Sequence, residues 1–161
     1  MNFDLSKIKF IIFDFDGIFT DNTVIVNEDG KESAICNRSD GIGVSRLKKI
    51  GVDILILSTE EREICKRRAE KLNIDCINNC KDKAKKLKEE VSRRGFSLNQ
   101  VAYVGNDIND IACLKLVGLP IVVADSHKDV LQYGKFKTKL GGGQGAVREI
   151  CDMIYLAKKG M

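Results

Sequence analysis

The chain has 161 residues, of which 43% are hydrophobic and 31% charged, with a net charge of +4. That length suits one domain able to bury its own core, and those fractions suit a soluble globular protein. The longest apolar run falls well short of a membrane span and no basic-then-apolar leader opens the chain, so a cytoplasmic protein without a membrane partner is expected.

The elements alternate along the chain. Residues 9–15 form a β-rich apolar run, the pattern of a strand buried on both faces. Residues 23–26 and 32–35 read as short strands around the hairpin-like turn Asn27-Glu28-Asp29-Gly30. Asp40 is placed to cap a helix running to about Ile50, followed by a buried strand over 53–57 and a helix over 60–72. A short strand at 75–77 precedes a lysine-rich helix that ends near Gly95. A strand at 101–104, a helix at 107–117 and a strand at 121–123 follow. The glycine-rich segment 141–145 leads into a last helix over 146–159. With a single proline, no linker and no internal repeat, the pattern predicts one α/β domain over 1–161, with right-handed crossovers and a central parallel sheet.

The positive charge concentrates between Lys81 and Arg94, where Ala84, Leu87 and Val91 recur at helical spacing. The lysines are therefore read as the solvated face of an amphipathic helix, and no nucleic-acid partner is expected. The six cysteines sit at irregular intervals, and Cys76 and Cys80 lack the second ligand pair of a zinc site, so they are read as reduced, partly buried thiols. His127, the one histidine, excludes multi-histidine metal sites.

In a parallel sheet, ligands gather at the carboxyl ends of the strands. Polar residues cluster there: Asp14 and Asp16 after the first long strand, Ser58 and Thr59 after the next, Lys83 soon after the short third, and Asn106, Asp107 and Asp110 after the fourth. Asp14 and Asp16 alternate with Phe13 and Phe15, so both carboxylates should leave the strand on one side. A lone aspartate most often caps a loop or a helix. Several acids at buried strand ends instead require a cation, and Mg2+ prefers carboxylate oxygens. A carboxylate can attack phosphorus, a second acid can move the proton, and a lysine can neutralise the phosphate oxygens. Ser58, at the expected helix N-terminus, can donate its hydroxyl beside backbone N–H groups.

Residues 14–21, DFDGIFTD, resemble the first motif of the haloacid dehalogenase (HAD) phosphatases, in the form seen in small sugar-acid phosphatases. Ser58 resembles the hydroxyl motif, Lys83 within KDK the lysine motif, and GNDIND at 105–110 the acidic motif. Two departures are Thr59 in place of a glycine and Asn106 in place of an acid. The resemblance implies a three-layer Rossmann-like HAD fold with a small β-hairpin flap and no separate cap domain. It implies a phosphoric monoester hydrolase with Asp14 as nucleophile and Asp16 as acid/base. Asp14, the Asp16 carbonyl and Asp107 would be the Mg2+ ligands, with Asp110 supporting and orienting Lys83.

The room between motif I and Asp40 fits a hairpin and no cap, as in the capless phosphatases of eight- and nine-carbon 2-keto-3-deoxy sugar-acid phosphates. Those enzymes are homotetramers, and the sequence GGGQGAVRE at 141–149 resembles their C-terminal signature, whose glycines lie near a neighbour's site. Glu60 and Lys71 are similar to a pair that the nine-carbon enzymes hold near the substrate's carboxylate end. The expected substrate is thus a nine-carbon (KDN or N-acylneuraminate) 9-phosphate, the alternative being 3-deoxy-octulosonate 8-phosphate. Without the resemblance, Glu60 suits a helix's first turn and Lys71 is a solvated lysine. Arg148, a candidate substrate ligand, suits a surface ion pair with Glu149 equally well. From another class, the rival is a non-catalytic HAD-like oligomerisation domain of the kind associated with sialic-acid cytidylyltransferases, which would have no need of the acid pair kept here. A receiver domain places its acceptor aspartate after the third strand, against the order seen here.

Overall fold

The structure, a computed structural model, describes residues 4–161. Six parallel strands form the central sheet: β1 (Phe10–Phe13), β4 (Asp53–Leu57), β5 (Asp75–Ile77), β6 (Val101–Gly105), β7 (Leu119–Val122) and β8 (Phe136–Lys137). Their spatial order is β5-β4-β1-β6-β7-β8. β1 is thus central, flanked by β4 (Phe10 opposite Asp53) and β6 (Phe10 opposite Val101). From β1 the chain builds outward to β5, then returns to the other side of β1 with β6. The crevice at the carboxyl ends of β1 and β6 is the topological switch point where such folds bind ligands.

Alternate residues of each strand feed two cores, one on each face. Ile11, Phe13, Ile54, Ile56, Ala102 and Val104 point to one face. There they meet helices α1 (Ser39–Lys49), α2 (Ile64–Leu72) and α5 (Ala146–Lys159) through Val44, Leu47, Cys65, Ala69, Ile150 and Ile154. Phe10, Ile12, Leu55, Leu57, Val101 and Tyr103 point to the other face, covered by α3 (Lys83–Arg93) and α4 (Ile111–Leu114) through Leu87, Val91, Cys113 and Leu114. The fold is the three-layer α/β arrangement expected. Each fully buried Leu, Ile or Phe contributes about 1.5–3 kcal/mol, which is why the continuously apolar strands sit in the middle. All six cysteines are free, as expected. Among the described residues no helix is long and apolar enough to cross a membrane.

The expected flap is present as an antiparallel pair, β2 (Ile25–Val26) and β3 (Glu32–Ser33). Its apolar side chains face outward: Val24, Ile25, Val26 and Ile35 are all exposed. Arg62 reaches across from the loop before α2 to Glu32 at 2.6 Å, tying flap to body.

Several boundaries differ from the sequence reading, each for a local reason. α2 starts at Ile64 rather than at 60, because Ser58 Oγ accepts the Glu60 N–H (3.0 Å) and Glu60 Oε1 accepts the Arg62 N–H (2.9 Å), folding these residues into tight turns. The helix expected over 107–117 is a 3-10 turn followed by the four residues of α4. β8 was not anticipated, being two residues on the sheet edge. The lysine-rich helix is only partly a solvated face. Lys83 at its start is buried, and Arg94 at its end pairs with Asp53 (3.1 Å) and Asp75 (2.6 Å) at the strands' opposite ends.

Asp40 does not cap α1. It is fully buried in that helix's first turn, and its Oδ1 accepts the Arg148 N–H (3.2 Å) in the first turn of α5. The N-cap of α5 is Gly145, which has no side chain to offer, so Asp40 supplies the acceptor from across the packing interface. Oδ2 has no partner. Burial pushes this carboxyl up from 3.8 to about 6, against the opposing pull of the Arg148 N–H and Arg68. Because folding raises the pKa, the native state binds the proton more tightly, and Asp40 favours folding more as pH falls through about 6 toward 3.8. Asp40→Asn keeps the acceptor and removes the charge. It is expected to be more stable than the wild type at neutral pH by on the order of 2 kcal/mol, an advantage that shrinks as the pH falls below the native pKa. Urea unfolding across that range checks it, and parallel pH curves for the two proteins would contradict it.

Candidate active site

Asp14 follows β1 directly, and its N–H still donates to Val104 O of β6 (2.9 Å). Its Oδ1 accepts from the Phe15 N–H (2.8 Å) and from Lys83 Nζ (2.8 Å), so Oδ2 is the oxygen left for the cleft. Lys83, the first residue of α3, bridges Asp14 and Asp110 Oδ1 (2.9 Å). Asp110 is fully buried and organises the end of β6. Its Oδ1 also accepts the Tyr103 hydroxyl (2.6 Å), while Oδ2 accepts the N–H groups of Asn106 (2.9 Å) and Asp107 (3.3 Å).

Electrostatics follow from this burial. Burial, then the nearby Asp110 charge, pushes Asp14 up to about 7 against the opposing pull of Lys83. Burial alone would lower Lys83, but the two carboxylates outweigh it and hold it at about 12. Asp16 is raised by burial, then by Glu60 and Glu32, with Lys83 opposing. Burial and the neighbouring acids thus favour its protonated form, the form a general acid needs.

Asp14, Asp16 and Asp107 line one cleft of about 110 Å³, together with Asn22, Thr59, Asn106 and Asn109. Phe15 turns away into the core and stacks on Phe19 at 5.9 Å, so the expected alternation of acids and phenylalanines holds. Ser58 is also close by sequence, yet buried. Its backbone N–H and carbonyl bond Ile77 O (2.9 Å) and the Cys80 N–H (3.0 Å), and it stands well upstream of α2's first turn. The expected cradle of Ser58 at a helix N-terminus is therefore not formed, and the hydroxyl residue lining the cleft is Thr59. Asn22 and Asn109 were missed in the sequence, and Thr59 was noted there but given no role. Thr59 was visible as a polar residue just past a strand end; Asn22 and Asn109 gave no comparable signal.

Of the three substrate candidates, Glu60 stands close enough to Asp16 to raise it, while Lys71 and Arg148 lie elsewhere. Glu60 is in the loop before α2, whereas Lys71 is exposed in that helix's last turn, about 10 Å further along the axis from its start. One chain does not bring them together. Arg148 is held by Asp152 on its own helix, not by Glu149 and not in the acid cleft. Glu149 accepts the backbone N–H groups of Lys139 (2.9 Å) and Leu140 (3.0 Å). The glycine-rich segment lies on the motif I turn of its own chain: the Gly143 N–H donates to Ile18 O at 3.1 Å.

The donor set fits a hard divalent cation. Asp14 Oδ2 is uncommitted, and Asn106 Oδ1, in a side chain buried against Gly17, has no hydrogen-bond partner. Among the described residues, no three His, Cys, Asp or Glu side chains close on one point. Asp107 turns Oδ1 to the Ile108 N–H (2.7 Å). The site thus offers the free Asp14 Oδ2, the Asn106 amide oxygen and the Asp107 carboxylate rather than a cage of three acidic side chains.

Acids at the ends of β1 and β6 and a buried lysine between them define a phosphohydrolase site on a Rossmann-like sheet. Residues 47–149 match the haloacid dehalogenase-like hydrolase family model. The 3-deoxy-D-manno-octulosonate 8-phosphate phosphatase of Yersinia pestis is 32% identical over 154 residues, 95% of this chain and 82% of the relative. N-acylneuraminate cytidylyltransferase A of Danio rerio is 31% identical over 94% of this chain but only 36% of its own length. The crystal structure of 3-deoxy-D-manno-octulosonate 8-phosphate phosphatase from Moraxella catarrhalis, in complex with magnesium ion, phosphate ion and KDO, superposes with a TM-score of 0.93 at 30% identity, covering 98% of this chain and 91% of that one. The chain belongs to the haloacid dehalogenase-like hydrolases and is a phosphoric monoester hydrolase.

Lys83 sits among buried charges, so its removal leaves Asp14 and Asp110 facing each other. Lys83→Ala is expected to lower unfolding stability at neutral pH by about 3–5 kcal/mol. Chemical denaturation measures this directly, and a loss below about 1 kcal/mol would show that the bridge does not hold these elements together.

Proposed function

We propose that this chain hydrolyses the phosphate ester of a 2-keto-3-deoxy sugar acid, using Mg2+ and an aspartyl-phosphate on Asp14. The observation that carries the reading is the convergence of Asp14, Asp16 and Asp107 on one cleft, with Lys83 bridging behind Asp14. Asp14 Oδ2 attacks phosphorus, and the ester P–O bond breaks as Asp16 gives its proton to the leaving alkoxide. Asp16 then takes a proton from water, whose oxygen attacks phosphorus and breaks the bond to Asp14, releasing inorganic phosphate. Lys83 holds Asp14 in place and offsets charge beside the transferring group. Thr59 is the hydroxyl at hand for the phosphate oxygens. When bound by Asp14, the Asp16 carbonyl and Asp107, Mg2+ supplies positive charge that neutralises the phosphate oxygens and holds Asp14 ionised.

Asp14→Asn is expected to abolish turnover with the fold intact. Asp16→Asn should lower the rate by about 10²–10⁴-fold, the contribution of a positioned acid/base. Phosphate release in the presence of Mg2+ measures both, and unchanged turnover in either variant would refute its assignment.

Among substrates, the eight-carbon 3-deoxy-octulosonate 8-phosphate has the better support. The Yersinia pestis relative is named for it, and the Glu60–Lys71 pair that favours a nine-carbon ester is not assembled within one chain. The nine-carbon KDN or N-acylneuraminate 9-phosphate is the second reading, supported by the likeness to part of a sialic-acid cytidylyltransferase. The preserved acid pair speaks against a purely structural module. Outward apolar side chains on the flap support assembly into the expected homotetramer, since a partner would cover them. Comparing kcat/KM on the two esters separates the substrate readings: higher efficiency on the nine-carbon ester would reverse the preference.

A further inference from the structure

The glycine-rich segment makes an unusually close approach to the motif I turn. A Cβ added at Gly142 would lie 2.0 Å from Gly17 O and 2.6 Å from Thr20 O, so no side chain fits there. On the turn's other side, a Cβ at Gly17 would lie 2.1 Å from Asn106 Nδ2. Residues 17–20 are thus sandwiched between a strap of two glycines and the end of β6. Thr20 Oγ1 closes the turn internally by accepting the N–H groups of Gly17 (3.1 Å) and Asn22 (3.2 Å).

The strap is held at few points. The Gly143 N–H donates to Ile18 O at 3.1 Å, and Asn37 Nδ2 reaches Gly143 O at 3.4 Å. The N–H of the buried Gly142 donates to Asp125 Oδ1 at 3.0 Å. Asp125 follows β7 in an exposed loop and is not among the residues lining the acid cleft. Its oxygen gives the Gly142 N–H the acceptor that a buried amide requires.

The two catalytic aspartates depend on this strap unequally. Asp14 is fixed by the β6 ladder and by Lys83, neither of which touches the strap. Asp16 lies between Phe15 and Gly17, on the turn the strap presses. Resting on the functional reading above, we propose that Asp125 is a positioning residue, which through Gly142 and Gly143 holds the motif I turn so that Asp16 faces the ester oxygen.

The consequence is selective. Loosening the turn misplaces the proton donor but leaves the nucleophile set. Esters that leave as alkoxides need Asp16's proton when the P–O bond breaks, whereas p-nitrophenolate leaves without it. The ratio kcat/KM reports only the steps through transfer to Asp14, so it isolates this requirement from the later hydrolysis.

The test measures kcat/KM for 3-deoxy-octulosonate 8-phosphate and for p-nitrophenyl phosphate with wild type, Asp125→Ala and Asp125→Asn. Asp125→Ala is expected to lose about tenfold or more on the sugar ester and less than about threefold on the aryl ester, a fraction of the acid/base contribution. Asp125→Asn keeps an oxygen acceptor and is expected to restore the sugar-ester value to within about threefold of wild type. Equal losses on both esters, no loss on either, or an Asp125→Asn variant as impaired as Asp125→Ala would each overturn the positioning role. Failure of the functional reading looks different: the wild type itself would then release phosphate from neither ester, or Asp14→Asn would match it.

Discussion

The site depends on one buried cation placed between two buried carboxylates. Lys83 joins Asp14 and Asp110 at 2.8 and 2.9 Å, and all three side chains are almost wholly excluded from water. Charges so buried are costly unless they satisfy one another, which forces the end of β1, the end of β6 and the start of α3 to converge. Convergence is also what shapes the cleft, because Asp110 simultaneously folds Asn106 and Asp107 toward it. With all three ionised the trio keeps one negative charge, and the carboxylates of Glu60 and Glu32 add to the field at Asp16. A chain with a net charge of +4 thus presents an acidic cleft at its switch point. A phosphate ester is repelled by such a cleft on its own, so the electrostatics of this site demand a counter-cation before an ester can approach.

The rest of the architecture serves to keep that cleft open on one side and rigid on the other. The flap is small, apolar on the outside and tied back by Arg62, leaving the entrance without a cap domain of its own. Behind the cleft, the glycine strap closes on motif I from the C-terminal end of the chain, while α5 is capped from α1 by Asp40. Residues over a hundred positions apart therefore fix the few backbone atoms that carry Asp16. Asp16 rests on long-range contacts, whereas Asp14 rests on the sheet itself.

Most of the fold was legible because buried parallel strands are continuous apolar runs of the right length. β4, β5 and α5 have the bounds their patterns imply. Asp14, Asp16, Asp107, Asp110 and Lys83 were readable because each follows a strand end closely, where the topology leaves little freedom. What escaped was whatever tertiary hydrogen bonds decide. The turn made by Ser58 and Glu60 delays α2, and Asp110's bonds to Tyr103, Asn106 and Lys83 cut the following helix short. Asp40 carries the sequence signal of a cap, yet it caps a helix that begins beyond residue 140. Glu60, Lys71 and Arg148 were inferred from likeness rather than from strand-end geometry, and a single chain does not gather them.

The most direct test is to look for the covalent intermediate. Protein mixed with Mg2+ and a phosphate ester, quenched in acid within a turnover and digested, should carry one phosphate on the peptide containing Asp14, with none in Asp14→Asn. Steady turnover with no phosphate on that peptide at any time, or with phosphate on a different residue, would contradict the account.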